Sequence, residues 1–147
     1  MRAACYEKQG APDVLIVGEM ADPAPDADEV RIRLSGLGIG PGDIKKREDA
    51  FHNGRPYSRV IPHGDGAGTI GQLGDGVSAD RIGQSVWCLG AQSYRPFDTA
   101  AQFVVVAVDP AKHLPDGIEV ATGACLGIPA LTASAQARPH GRLLLEV

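Results

Sequence analysis

The sequence predicts a mainly β fold with a few short helices, built as a small antiparallel barrel. Three observations carry that expectation. Residues 29–34 alternate as Glu-Val-Arg-Ile-Arg-Leu, which puts Val30, Ile32 and Leu34 on one face with the period of a half-buried strand. Nineteen glycines and 11 prolines make up about a fifth of the 147 residues, against roughly 12% in an average chain. That excess favours short elements joined by turns. The apolar runs also follow one another with polar turns and few helical stretches between them, unlike a βαβ pattern.

Taken in order, residues 2–6 read as a strand closed by Gln9-Gly10-Ala11-Pro12, and residues 14–17 as a second strand before the turn Pro23-Ala24-Pro25-Asp26. After the alternating strand comes Gly36-Leu37-Gly38-Ile39-Gly40-Pro41-Gly42-Asp43, with Asp43 placed to cap a short following helix. This stretch has two readings. It is a loop crossing the barrel rim with Lys45, Lys46 and Arg47 in solvent, or it lines a site, since functional residues gather on loops held by a scaffold. Residues 66–73 read as a glycine-rich strand ended by Gly74-Asp75-Gly76. Residues 85–89 and 102–108 read as strands, the latter ended by Asp109-Pro110. Residues 115–119 form a turn, 129–137 are helix-prone with Pro129 in the first turn, and 142–147 resemble a buried parallel strand.

Composition excludes several classes. Fourteen Lys and Arg stand against 18 Asp and Glu, for a net charge of −4 and a pI near 5.5. With few aromatic residues besides, no nucleic-acid surface is expected. The opening residues lack the apolar core of a signal peptide. The charge-free run 120–137 contains too many Gly, Thr, Ser and Pro residues to cross a membrane unaided. Cys5, Cys88 and Cys125 are odd in number and widely spaced, which argues against disulfides and points to a reducing cytoplasm.

Residues 66–71, Gly-Ala-Gly-Thr-Ile-Gly, match the letters of a dinucleotide-binding turn. Such a turn needs a preceding strand and a helix opening at the glycines. Here Pro62-His63-Gly64-Asp65 precedes it and Gly74-Asp75-Gly76 would break the helix, so a glycine-rich strand is expected. For metal binding, His63 with Asp65 is the best local pair, and nothing nearby in sequence completes a ligand set. No serine lies in a G-x-S-x-G elbow. Tyr57 and Trp87 are expected to be packing residues.

In order, the segments 10–15 (Gly-Ala-Pro-Asp-Val-Leu), 28–33 (Asp-Glu-Val-Arg-Ile-Arg), 38–43 (Gly-Ile-Gly-Pro-Gly-Asp), 65–70, 73–77 (Leu-Gly-Asp-Gly-Val), 82–87 (Ile-Gly-Gln-Ser-Val-Trp), 101–106, 114–117 and 126–133 resemble the medium-chain dehydrogenase/reductase superfamily, in its zinc-free quinone oxidoreductase branch. The resemblance covers nearly the whole chain. It implies a GroES-like, partly open β-barrel as substrate domain over residues 1–118. Residues 119–147 would be connecting helices and the start of a truncated Rossmann cofactor domain, with 142–147 its first strand. The phosphate-binding turn expected next is absent from the chain, which implies a fragment, a truncated product or half of a split protein. An exposed terminal strand of that kind implies either disorder there or a non-native dimer through the strand.

The implied activity is hydride transfer from NADPH to a quinone or activated enone, by a parent protein of which this chain alone is inactive. The alternative is a non-catalytic GroES-like binding module or a degenerate paralogue. Gly40, Pro41 and Thr132 are expected at the nicotinamide end, and Lys45, Tyr57 and Asp65 on the substrate side. No metal is expected, because zinc-dependent relatives have a ligand Cys where Gly40 stands and a ligand His where Gly64 stands. Quinone reductases of the branch commonly carry Asn at the position of Gly40, an aromatic residue at that of Lys45, and a Tyr shortly after that of Thr132.

Overall fold

A computed structural model describes residues 1–55, 57–91 and 96–136. The tail strand expected at 142–147, with the dimer it would mediate, lies outside the described residues. Among the described residues, seven strands form two antiparallel sheets. β1 (Arg2–Cys5) pairs with β2 (Ile16–Glu19). The larger sheet runs β6-β3-β4-β5-β7, from β3 (Glu29–Gly38), β4 (Asp65–Leu73), β5 (Ser85–Cys88), β6 (Phe103–Ala107) and β7 (Ala111–His113).

The alternation of β3 is realised as expected. Val30 and Ile32 are fully buried, and Leu34 packs against the same cluster, which also holds Ile70, Val86, Cys88, Val104 and Val106. The β3–β4 register shifts twice, between Arg31 and Ile32 and between Leu34 and Gly36. Such irregularities bend a strand and increase its twist, which curls the sheet into a half-barrel. β1 joins it through the bonds Ala4 N–H to Ala100 C=O (2.8 Å) and Gln102 N–H to Arg2 C=O (3.1 Å).

The letters Gly66 to Gly71 fall inside β4 and open no helix. At Gly68 the backbone of β3 comes so close that a Cβ would sit 2.0 Å from the Arg33 carbonyl oxygen. The glycine there serves strand packing.

Three details differ from the sequence reading. Residues 12–14 form a 3-10 turn that drives Val14 inward, and the strand starts later, at Ile16. Pro12 is suited by its fixed φ to a first helical turn, so the second strand is displaced two residues. β7 was not anticipated, because three residues are too few for a periodic pattern; its pairing with β5 creates it. Arg47 is buried, its guanidinium donating to Gly10 C=O and, at 3.0 Å, to Glu48. Lys45 and Lys46 stay in solvent, and Arg47 is the one turned inward, toward the Gly10 carbonyl that pairs it.

The helices are α1 (Pro41–Arg47), α2 (Val120–Gly123) and α3 (Ile128–Gln136). α2 lies on the larger sheet, with Gly123 and Ala124 buried and Val120 facing Gly36 of β3. No helix among the described residues is long and apolar enough to cross a membrane.

Candidate functional site

Three chain segments meet at one end of the sheet: the start of α1, the loop 62–65 entering β4, and the turn 124–127 entering α3. Asp65, the first residue of β4, is buried opposite Gly38 of β3. Its Oδ1 accepts the Ile128 N–H at 2.9 Å and so satisfies an orphan donor at the start of α3. A Cβ on Gly127 would sit 2.1 Å from that oxygen, so only glycine admits the bond. Burial pushes the Asp65 acid up, the Ile128 bond opposes this, and the Asp43 charge adds to the rise.

Asp43 occupies the third position of α1, and the cap is Gly40. The expected capping by Asp43 is therefore reversed: the side chain reaches back, its Oδ2 accepting the Gly40 N–H at 2.7 Å. The cause is Pro41, whose fixed φ suits the first helical position and starts the helix two residues ahead of Asp43. The same oxygen lies 3.6 Å from His63 Nδ1. The pairing of His63 with Asp65 suggested by their proximity in sequence is thus replaced by one with Asp43. His63 also holds a left-handed backbone, φ +82°, at a cost of about 1 kcal/mol for a non-glycine residue. Burial would raise the Asp43 acid, but the contact with His63, the Gly40 bond and the charges of His63 and Lys46 outweigh it and hold it below its ordinary value. Two carboxyls at one junction are therefore pushed in opposite directions.

Of the six residues expected here, Gly40, Pro41 and Asp65 lie at this junction. Lys45 is exposed on α1, and Thr132 is exposed on α3, one turn beyond Ile128. Tyr57 packs with Tyr6, Val14 and Val60, a separate apolar cluster, as the packing reading of that ring expects. Gly42 has open space where a side chain would be, and Gly40 meets only Asp43 Oδ2, at 3.5 Å. The backbone there is bare of side chains. Among the described residues there is no phosphate-binding turn, since the only glycine motif of that spelling is β4. Zinc does not fit: Gly40 and Gly64 offer no ligand atom, and no group of three potential ligands stands together among the described residues.

The sequence reading missed Asp98 and Thr99. Asp98 is 1% exposed and Thr99 fully buried. Asp98 Oδ1 accepts the Thr99 N–H at 2.8 Å, while Asp98 Oδ2 and Thr99 Oγ1 are buried without a hydrogen-bond partner. Burial pushes the Asp98 acid up to about 9. Burial and the Asp98 and Asp65 charges likewise push the Cys88 thiol up to about 12, which leaves it inert as a nucleophile. An acid between Phe97 and Ala100 was the available signal.

Residues 26–130 match the alcohol dehydrogenase GroES-like domain. The quinone oxidoreductase of Rattus norvegicus is 33% identical over 99% of this chain and 45% of its own length. The trans-enoyl reductase tazE of Aspergillus terreus is 30% identical over 89% of this chain and 45% of its own. Among solved structures, Escherichia coli quinone oxidoreductase complexed with NADPH superposes with a TM-score of 0.79 at 21% identity, over 94% of this chain and 40% of that one. The chain spans less than half the length of the curated relatives it matches. With the curled sheet, the ordered motifs and these matches together, the chain belongs to the alcohol dehydrogenase GroES-like domain family, in the quinone oxidoreductase type of the medium-chain dehydrogenase/reductase superfamily.

Proposed function

We propose that this chain is the substrate-side part of an NADPH-dependent oxidoreductase that reduces a quinone or activated enone. The observation that carries the reading is the junction itself: bare backbone at Gly40 and Gly42 beside the buried carboxyl of Asp65, which is tied to the start of α3, and the partly exposed one of Asp43. The names of the rat, Aspergillus and Escherichia proteins support the acceptor class and the cofactor. When bound, the cofactor supplies the hydride, and Gly40, Pro41 and Thr132 would hold its nicotinamide end. Lys45 and Asp65 would flank the acceptor, while Tyr57 belongs to the separate cluster with Tyr6, Val14 and Val60. Such acceptors are electrophilic, so the protein's work is to orient them and exclude water. In this reading residues 1–118 bind the acceptor and 119–147 lead toward the cofactor-binding part.

The test is amide NMR of the chain titrated with a fully substituted quinone, which cannot arylate the exposed Cys125. Shifts should concentrate at residues 38–43, 63–66 and 124–128. Shifts confined elsewhere, or none, would overturn the assignment and favour a module with a different ligand.

A further inference from the structure

We propose that His63, oriented by Asp43, is the proton donor to the oxyanion formed when the acceptor is reduced. This rests on the substrate-side reading above. The observation is a carboxylate–imidazole pair at the junction, with His63 Nδ1 3.6 Å from Asp43 Oδ2 and Asp43 itself anchored on Gly40 N–H at 2.7 Å. Nδ1 is the buried nitrogen, without a close hydrogen bond. The His63 side chain is 15% exposed, so what solvent reaches is the rest of the ring, which carries Nε2. A group at this depth is shielded from bulk water yet able to regain a proton from it.

The backbone gives a second indication. His63 is held at φ +82°, where glycine sits without cost, so an imidazole is kept here against a local penalty. Such strain gathers at functional sites. Other charged and titratable groups within electrostatic reach of Asp43 are Lys46 on α1, Asp65 on β4, Asp98 before β6, and Tyr6; Arg47 and Arg55 act on Tyr6 in turn.

When bound, the reduced nicotinamide would supply the hydride, whose electron pair would leave an oxyanion on the acceptor's carbonyl side. The Nε2–H bond of the His63 imidazolium breaks, an O–H bond forms, and solvent returns a proton to neutral His63. Asp43 touches neither reactant; it is a positioning residue that faces His63 Nδ1 and fixes the ring's orientation.

The test uses the 147-residue chain and 4-nitrophenol, a product analogue coloured only as the phenolate. The wild-type chain should bind it at the junction and raise its phenolate fraction above that of the free phenol at the same pH. His63→Gly removes the imidazole and relieves the strained backbone, so it should fold; phenolate binding should weaken by about tenfold or more. Added imidazole should restore part of the phenolate signal in that variant. Asp43→Asn, which keeps an oxygen for Gly40 N–H, should lower the phenolate fraction with thermal stability at acid pH unchanged. Equal phenolate binding by wild type and His63→Gly would overturn the proton-donor role while leaving the substrate site intact. If wild type binds no phenol at all, both the substrate-side reading and this role fall.

Discussion

Asp98 shows how one side chain couples stability to pH. Its carboxyl is pushed up to about 9 by burial, while an unfolded aspartate ionises near 4. Between those values the folded chain holds a proton that the unfolded chain has released. Stability is therefore full at acid pH and declines as pH rises, with a slope of about 1.4 kcal/mol per pH unit while one whole proton separates the states. Asp98→Asn replaces the neutral acid by a neutral amide of the same shape and keeps Oδ1 for the Thr99 N–H. The variant should gain thermal stability over wild type at pH 8 and little or none at pH 4. Melting curves at several pH values check this, and parallel profiles would mean that Asp98 is ionised in the fold.

Asp43 runs the other way. Its held-down acid contributes stability above the ordinary aspartate range, and that contribution is lost as pH falls through its lower folded value. The two acids thus oppose each other across the pH scale, and any measured profile of the whole chain is their sum with the rest.

At the scale of elements, β4 decides between two meanings of the same letters. Gly68 faces the Arg33 carbonyl, which a Cβ would meet at 2.0 Å, while Gly71 has nothing within 4 Å. Gly68→Ala must push two hydrogen-bonded strands apart and should cost about 3 kcal/mol or more. Gly71→Ala should change stability by no more than about 0.5 kcal/mol. Urea unfolding of both variants separates the cases. A phosphate-binding turn would instead make both positions matter for ligand and neither matter so unequally for stability.

For the whole molecule, the proposed reading gives the described residues one wall of a nicotinamide site, and they include no glycine turn opening a helix that could anchor its phosphates. A pyrophosphate is ordinarily held at a helix N-terminus after a glycine-rich turn. The chain alone should therefore bind NADPH with no micromolar affinity and should not oxidise it with a quinone above background. Orientation can supply about 7–11 kcal/mol of a barrier in favourable cases, so its loss is severe. Titration calorimetry and absorbance at the reduced nicotinamide band measure both. Micromolar binding would mean that the phosphates are held by residues other than those described.

The β class, the alternating core of β3, the strand character of residues 66–73 and the family were all legible in the sequence. Each is set by local period, turn chemistry or motif order, which are written along the chain. Gly40, Pro41 and Asp65 sit in ordered family motifs, and the structure brings them to one junction, where their roles are proposals. What only the tertiary structure decided were the pairings between distant segments. Asp43 meets His63 across 20 positions, and Asp65 meets Ile128 across 63, because β4 and the turn before α3 are brought to the same end of the sheet. The burial of Asp98 and Arg47 and the existence of β7 belong to the same class. Charge in a sequence predicts exposure, and β7 has too few residues for a pattern. Only the closing of the sheet determines which groups lose their water and which short segment finds a partner.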